Sequence, residues 1–182
     1  MRFLPTDIPE IILLEPEIMS DDRGFFMETY QAIRFAEAGI PVNFVQDNVS
    51  GSHRGILRGL HYQIQHPQAK LIRVICGEIF DVAVDIRRSS PTFGKWTGIH
   101  LSSQNKRQIY IPTGFAHGFY VLSEWSEVFY KASDYYNPKW ERTLIWNDKT
   151  LGIQWPLLGG DSPFLSAKDT RGLPLSQADL FD

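Results

Sequence analysis

The sequence predicts an all-β fold, an antiparallel sandwich or barrel of many short strands. Runs of β-branched and aromatic residues follow one another closely through the middle of the chain. Gly, Pro, Ser and Asn residues separate these runs at short intervals. Only one segment has the features of a helix. Many short strands at such spacing are typical of antiparallel sandwiches and barrels.

The helix candidate is TYQAIRFAEAG, residues 29–39. Thr29 is a suitable N-cap, and Gly39 together with the proline two residues later ends the helix. A partial apolar face would consist of Ile33, Phe35 and Ala36.

The strongest strand signal is KLIRVICGEIFDVAVDIR, residues 70–87. Its two β-branched runs flank Gly77 and Glu78, which indicates a hairpin or a sharp strand turn. In the second run, apolar residues alternate with a set containing two aspartates, so the two sets would occupy opposite faces. The apolar set is Phe80, Val82, Val84 and Ile86, and the other is Asp81, Ala83 and Asp85.

The segments WTGIHLSS, RQIYIP, AHGFYVLS and EVFYKAS predict further strands. The tail, residues 159–182, is rich in Pro, Gly, Ser and Asp, and we expect it to wrap around the surface.

Composition narrows the possible functions. A length of 182 residues predicts one domain spanning 1–182, and a net charge of -3 gives no support for nucleic-acid binding. Cys76 is the single cysteine and cannot form an internal disulfide, which favours a reducing compartment. The N-terminal residues lack a signal-peptide pattern, and no stretch approaches the roughly 20 apolar residues of a membrane span. We therefore expect a soluble, cytoplasmic protein.

His61, in the stretch GILRGLHYQ, is the first chemical candidate. It could be a packing residue, a metal ligand or a catalytic base. Arg58 and His61 have opposite parity in a regular strand, but Gly55 and Gly59 make a bend or bulge plausible, which would re-aim side chains. A catalytic histidine needs a partner that fixes its tautomer, usually a carboxylate, and no aspartate lies beside His61 in the sequence.

Other candidates also have two interpretations. Metal sites commonly use about three His or carboxylate ligands at short spacing, and this chain has no His-x-His pair, which argues against a metal. His117, in IPTGFAHGFYVL, is either a packed turn residue or a residue at the mouth of the sandwich. Tyr130, Tyr135 and Tyr136, in EVFYKASDYYNP, are packing residues in one interpretation. In the other, one of them is a proton donor and a second stacks on a flat heterocycle.

Taken together, several segments resemble one enzyme family in the same order along residues 5–178. They are DDRGFFMETY, FVQDNVS, ILRGLHYQ, KLIRVICGEIFDVAVDIRRSSPTFGKW, NKRQIYIPTGFAHGFYVLS, YKASDYYNP, LIWND, GIQWP and LSAKD. The chain thereby resembles the dTDP-4-dehydrorhamnose 3,5-epimerases. The resemblance implies a cupin-type jelly-roll β-sandwich with a few short peripheral helices, a homodimer, and no metal or other cofactor.

The resemblance also implies a reaction. The family inverts C3 and C5 of dTDP-4-dehydro-6-deoxy-α-D-glucose to give dTDP-4-dehydro-β-L-rhamnose, a step of dTDP-L-rhamnose biosynthesis. Both carbons adjoin the C4 ketone, so removal of either proton gives an enolate whose charge lies mainly on the C4 oxygen. A base on one face, an acid on the other and one donor to that oxygen would serve both inversions.

The family's motifs assign roles to residues of this sequence. They imply that His61 is the general base, Asp169 its orienting partner, Tyr130 the general acid and Lys70 the donor to the C4 oxygen. Tyr136 would stack on thymine, and the segment containing Arg23 would reach the partner subunit's site. The substrate contacts implied are Arg23, Phe26, Glu28, Gln46, Asn48, Arg58, His117, Tyr136, Glu141 and Lys168.

One departure and three alternatives accompany this prediction. Trp140 precedes Glu141 where the family pattern leads us to expect a small or polar residue, which would affect the pocket rim. The alternatives are an epimerase acting only at C3 or only at C5 of a related dTDP-deoxysugar, a metal-dependent cupin, and a non-catalytic sugar-binding module.

Overall fold

The computed structural model describes residues 1–160 and 162–182, and strands dominate it. In chain order the strands are β1 (Arg2–Pro5), β2 (Ile12–Glu15), β3 (Ile18–Asp21), β4 (Gly24–Met27), β5 (Gln46–His53), β6 (Leu57–Gln63), β7 (Lys70–Cys76), β8 (Glu78–Asp85), β9 (Trp96–Ser102), β10 (Gln108–Ile111), β11 (Phe115–Val121), β12 (Trp125–Ala132) and β13 (Glu141–Thr143). One α-helix, α1 (Ala32–Glu37), and three 3₁₀ turns at Leu158–Gly160, Asp169–Arg171 and Leu175–Gln177 complete the secondary structure of the described residues.

The strands form two antiparallel sheets and one separate hairpin. The first sheet has the order β1-β2-β10-β7-β12-β5, and the second has the order β13-β6-β11-β8-β9. Strands β3 and β4 pair only with each other. The predicted all-β jelly-roll sandwich with few short helices is confirmed.

The turn between β7 and β8 carries the chain from one sheet to the other. It is therefore the sharp strand turn and not the hairpin, because β7 and β8 belong to different sheets. Gly77 has φ +79°, and a Cβ atom built on it would lie 2.1 Å from the carbonyl oxygen of Trp125. Only glycine suits this position, for backbone and steric reasons alike.

The predicted alternation along β8 is confirmed, and both of its faces are buried. Phe80, Val82, Val84 and Ile86 pack into one apolar cluster, whereas Ile79 and Ala83 belong to another. The second cluster draws residues from both sheets and so forms the centre of the sandwich. Asp81 and Asp85 lie on this inner side and are fully buried.

Each sheet also has apolar residues on its outer side. The outer cluster of the five-stranded sheet includes Leu175 and Ala178 from the C-terminal tail. The outer cluster of the six-stranded sheet includes Phe35 from α1, packed against Leu14 and Leu71. Burying apolar side chains on both sides of each sheet is the main stabilising contribution to such a layered fold.

Two sequence predictions about peripheral segments need correction. The helix is shorter than 29–39: it begins after Gln31, has no side-chain cap, and buries only Phe35. Gly39, with φ +81°, follows the helix as predicted. Ile33 and Ala36 are exposed because this short helix contacts the sheet along a narrow line.

The tail, residues 159–182, does more than wrap around the surface. It forms isolated parallel bridges from Phe164 to Ile56, from Leu173 to Leu144 and from Phe181 to Arg87. These contacts bury part of the tail against the five-stranded sheet, and two of them flank the segment that contains Asp169. Within the described residues, no helix has the length and apolar character needed to cross a membrane.

Candidate active site

A cavity of about 330 Å³ opens between the two sheets, which is within the usual range for small-molecule sites. Both sheets contribute polar side chains to its wall. Ten residues predicted from the sequence line it: Gln46, Asn48, Arg58, His61, Lys70, His117, Tyr130, Tyr136, Glu141 and Lys168. Asp169 stands directly behind His61.

A bulge in β6 brings Arg58 and His61 to the same face. His61 pairs with His117 on β11, whereas Arg58 pairs with Phe119, so three steps on β6 oppose two on β11. Gly59, within the bulge, has φ +132°, and a Cβ atom there would lie 2.5 Å from the Cα of Gly118. The bulge inferred from the glycines is confirmed, and it explains how residues of opposite parity share one cavity.

His61 and Asp169 form a hydrogen-bonded pair. His61 Nε2 lies 2.5 Å from Asp169 Oδ1, and the other carboxylate oxygen accepts a 2.8 Å hydrogen bond from Ser166 Oγ. Burial lowers the pKa of His61, and the hydrogen bond to Asp169 opposes that effect only in part. Burial acts to raise the pKa of Asp169, but its hydrogen bonds from His61 and Ser166 and the nearby charges outweigh it and leave the pKa below its ordinary value.

The His61–Asp169 pair has the geometry of a general base that is held in one orientation. An ionised Asp169 accepts a hydrogen bond from the Nε2–H group of His61. In neutral His61, the unprotonated Nδ1 atom therefore carries the lone pair. About a quarter of the His61 side chain is exposed, at 23 %, whereas Asp169 is almost completely buried.

His117 is also paired with a carboxylate. Its Nε2 atom lies 2.8 and 3.0 Å from the two oxygens of Asp81 on β8. The interpretation of His117 as a turn residue is wrong, since it lies inside β11 and is buried. His117 lines the wall of the cavity between the two sheets.

Lys70 begins β7 and lies on the cavity wall. Burial lowers its pKa to about 8, although Asp81 and Glu141 favour its charged form. The ammonium group is therefore mostly protonated near neutral pH and loses its proton in mildly alkaline solution.

Tyr130 faces the cavity from the opposite sheet. It lies on β12 in the six-stranded sheet, whereas His61 lies on β6 in the five-stranded sheet. Burial raises the pKa of Tyr130, with Arg58 opposing the effect, so the phenol stays protonated across the neutral range. His61 and Tyr130 thus reach the cavity from opposite walls.

Near the cavity mouth, Glu141 joins two other predicted residues. Its two carboxylate oxygens accept hydrogen bonds from Lys168 Nζ at 2.7 Å and from Tyr136 Oη at 2.9 Å. Burial acts to raise the pKa of Glu141, but these donors outweigh it and keep the pKa below its ordinary value. On the adjoining wall, Gln46 donates to Asn48 and accepts from the backbone N–H of Tyr136.

Three predicted substrate contacts lie outside this cavity. Arg23 and Phe26 belong to the β3–β4 hairpin, where Arg23 is 90 % exposed and pairs with Asp21. Glu28 follows the hairpin and pairs with Arg34. The hairpin forms a separate shallow depression, so one chain alone does not bring these residues to His61.

The sequence did not identify every polar residue near the cavity. Ser50 continues the alternation of Gln46 and Asn48 along β5 and lines the wall, a pattern that period-2 counting could have found. The alternation along β8 predicts only the face on which Asp81 lies, because its contact with His117 depends on strand pairing. Trp140 is absent from the residues that line the cavity; its ring packs under Lys139 Nζ at 4.7 Å.

The arrangement of potential metal ligands bears on the alternative of a metal-dependent cupin. Among residues 1–160 and 162–182, no group of three or more His, Cys, Asp or Glu side chains has the arrangement needed to hold a metal ion. The two His–Asp pairs each use one imidazole nitrogen in a hydrogen bond to the carboxylate.

Comparison with known proteins identifies the family. The family model described as dTDP-4-dehydrorhamnose 3,5-epimerase matches residues 5–177. The chain belongs to the dTDP-4-dehydrorhamnose 3,5-epimerase family. A relative of that name from Pseudomonas aeruginosa is 58 % identical over 175 residues, which are 96 % of either chain.

Solved structures agree with this family assignment. The dTDP-6-deoxy-D-glucose-3,5-epimerase of Legionella pneumophila, in complex with dTDP-4-keto-L-rhamnose, is 52 % identical with a TM-score of 0.94. The match covers 98 % of this chain and 94 % of that one. A 3'-monoepimerase from Streptomyces bikiniensis, in complex with dTDP-quinovose, is 34 % identical with a TM-score of 0.87, covering 94 % and 87 %. The epimerase fold therefore carries both double and single epimerisation.

Proposed function

We propose that this epimerase inverts C3 and C5 of dTDP-4-dehydro-6-deoxy-α-D-glucose and releases dTDP-4-dehydro-β-L-rhamnose. The observation that carries the proposal is the His61–Asp169 pair, which shares one cavity with Lys70 and Tyr130. A ketone makes the C–H groups on both sides of it more acidic. A base, an acid and a cation around one ketone are therefore sufficient for two successive inversions.

His61 removes the proton from C3 or C5. Neutral imidazole is the base, and Asp169 stabilises the imidazolium that forms when the proton arrives. Because burial lowers the pKa of His61, the ring is neutral and ready to accept a proton at neutral pH. Tyr130 then delivers a proton to the opposite face of the same carbon, which inverts it. Before the next inversion, His61 gives its proton to water and the Tyr130 phenolate takes one up from water.

Lys70 stabilises the negative charge that develops on the C4 oxygen. A preorganised cation in a cavity that excludes water typically contributes a few kcal/mol to such a transition state. The C4 oxygen is common to both enolates, so one lysine serves both inversions without moving. Its low-dielectric surroundings, which depress the pKa to about 8, also strengthen this interaction.

The nucleotide part of the substrate occupies the cavity mouth. Arg58 and Lys168 supply positive charge for the diphosphate, which a protein of net charge -3 must concentrate locally. Tyr136 is half exposed there and offers its ring to the thymine base. Gln46, Asn48, His117 and Glu141 provide the remaining polar contacts.

The enzyme acts as a homodimer in which the β3–β4 hairpin reaches the partner's cavity. The hairpin exposes apolar side chains that a monomer would leave in water, namely Ile18, Met19, Phe25 and Phe26. Exposed apolar surface of this kind marks protein interfaces. Arg23, Phe26 and Glu28 would then complete the neighbouring site, which accounts for their distance from His61.

A mixing experiment tests the shared site. Arg23→Ala and His61→Ala homodimers should each be nearly inactive. After subunit exchange at equal amounts, half the dimers are mixed, and each mixed dimer has one intact site. Activity should therefore return to about a quarter of the wild-type value, given random pairing. No recovery despite verified subunit exchange would contradict a shared site.

Single epimerisation at C3 or C5 is the second candidate. It is favoured by the likeness to a 3'-monoepimerase, whose fold is the same. Product stereochemistry decides between the two: a coupled assay with a reductase specific for the doubly inverted product should consume the substrate fully. Accumulation of a singly inverted sugar would contradict the double epimerase.

Two further parts of the proposed function are a single catalytic domain and a cytoplasmic location. Residues 1–182 act as one epimerase domain, since the tail contributes both core residues and Asp169. A cytoplasmic location suits a chain whose only cysteine, Cys76, cannot form an internal disulfide.

A further inference from the structure

The guanidinium group of Arg58 is held by two hydrogen bonds to strand β5. Its Nε–H group donates to Ser52 Oγ at 2.9 Å, and an Nη2–H group donates to the carbonyl oxygen of Gly51 at 3.2 Å. Arg58 lies on β6 in the five-stranded sheet, whereas β5 is an edge strand of the six-stranded sheet. The side chain therefore crosses from one sheet to the other beside the cavity.

The acceptors that hold Arg58 are neutral. Among residues 1–160 and 162–182, these two are its only side-chain hydrogen bonds, and neither acceptor is a carboxylate. Lys168, the other cation proposed for the diphosphate, differs because its Nζ donates to the carboxylate of Glu141 at 2.7 Å. A hydroxyl and a carbonyl can fix the plane of a guanidinium group and leave its other N–H groups for an anion.

Ser52 is buried behind the cavity wall. Only 3 % of its surface is exposed, and it is not among the described residues that line the cavity. Arg58 is exposed and lines both that cavity and an adjoining depression of about 280 Å³, which includes Phe164 and Leu165. A long arginine side chain has the rotamer freedom to point into either space, so its hydrogen bonds to β5 select the direction.

We propose that Ser52 is a positioning residue that fixes the guanidinium plane of Arg58 for the diphosphate of the substrate. The inference deepens the proposed function and rests on it, because Arg58 there supplies positive charge to that diphosphate. An arginine oriented in advance binds phosphate oxygens more tightly, since it loses less conformational freedom on binding. Serine suits the position because it accepts from Nε without adding a negative charge that would compete with the phosphates.

The first test observes Arg58 in the free protein. In ¹H–¹⁵N NMR spectra its Nε–H signal is the one missing from Arg58→Lys. That hydrogen should exchange slowly with water in the wild-type protein and rapidly in Ser52→Ala, because the hydrogen bond protects it. Rapid exchange in the wild-type protein would overturn the proposal even where Ser52→Ala fails to fold. Equally slow exchange in folded Ser52→Ala would also overturn it.

Calorimetric binding of dTDP tests the consequence for the ligand. Ser52→Ala should weaken binding by about tenfold, as expected when a hydrogen bond to a charged group is lost. In an Arg58→Ala background the same substitution should change the affinity by less than about twofold, because Ser52 acts through Arg58. A similar loss in both backgrounds, or a loss in neither, would overturn the proposal.

Ser126→Ala is the matched control. Ser126 lies on β12 directly opposite Ser52, is fully buried, and donates from Oγ to the carbonyl oxygen of Cys76 at 3.0 Å. The variant removes an equivalent hydroxyl from the same strand pair and should leave the Arg58 signal and dTDP affinity unchanged. Equal effects of the two substitutions would mean a general disturbance of the β5–β12 pair and would overturn the assignment to Ser52.

Steady-state kinetics separate binding from chemistry. Ser52→Ala should raise the KM for dTDP-4-dehydro-6-deoxyglucose with little change in kcat, because Arg58 is assigned to the diphosphate and not to the reacting carbons. A lower kcat at unchanged KM would overturn the proposal. Absence of epimerase activity in the wild-type protein would contradict the proposed function alone, since the Arg58 signal and dTDP binding are measured without turnover.

Discussion

His61 and His117 are directly paired across neighbouring antiparallel strands, yet their imidazoles are hydrogen bonded to different aspartates. The partner of His61 comes from the C-terminal tail, whereas the partner of His117 comes from the adjoining strand β8. The ring of His61 is partly open to the cavity and that of His117 is nearly buried. Two similar side chains thereby acquire different chemical properties within one sheet.

Replacing His61 by alanine should abolish epimerisation. Loss of a general base typically costs a factor of about 10²–10⁴, and none of the other residues assigned to the site is proposed to replace it. Turnover of dTDP-4-dehydro-6-deoxyglucose is the measurement. The control is His100→Ala, because His100 is exposed on β9 and pairs with Glu78 outside the cavity. Wild-type activity in His61→Ala would remove the assigned base.

Replacing Asp169 by asparagine should lower kcat and move the acid limb of kcat/KM to lower pH. The hydrogen bond and the charge of Asp169 both raise the pKa of His61, so their removal lets that pKa fall further. The rate falls by about 10²-fold or more, since the amide no longer stabilises the imidazolium. An acid limb that moves to higher pH would contradict this pairing.

The wild-type enzyme should have a bell-shaped pH profile of kcat/KM. His61 acts as a base only when neutral, and its pKa is lowered, so the acid limb lies below pH 6.5. Lys70 acts only when charged, and its pKa of about 8 places the alkaline limb near pH 8. Lys70→Met should lose most activity together with that alkaline limb, which a full pH profile of the variant would reveal.

Replacing Tyr130 by phenylalanine should reduce kcat with little change in KM. The substitution removes only the hydroxyl, so the apolar packing of the ring on β12 is retained. Protons should still leave the sugar carbons for His61, and reprotonation from the opposite face should become slow. Measuring hydrogen exchange at the sugar carbons together with inversion distinguishes proton removal from reprotonation. Equal losses of exchange and inversion would contradict the role of Tyr130 as the acid.

Much of this architecture was predictable because it follows from local patterns. Alternation along β8 predicted two opposed faces, and the glycines around Arg58 indicated the bulge that the strand pairing confirms. The family motifs named ten residues that line one cavity. The distant Asp169 could be named only through the resemblance, because contact across 108 residues leaves no local signal.

Other features depended on tertiary contacts that sequence patterns do not encode. The helix is shorter than its pattern suggested because only Phe35 finds a buried position. The tail is polar in composition, yet it buries Leu175 and Ala178 because the outer side of the five-stranded sheet needs cover. Asp81 meets His117 through strand pairing, which the sequence of β8 alone does not specify.

Hydrogen exchange in heavy water tests the central claim most directly. With dTDP-4-dehydro-6-deoxyglucose as substrate, the wild-type enzyme should introduce deuterium at C3 and at C5, and NMR of the product should find both centres inverted. With His61→Ala, deuterium incorporation and inversion should not exceed those of a reaction without enzyme. Deuterium at only one carbon would contradict double epimerisation, and undiminished exchange in His61→Ala would contradict the assignment of the base.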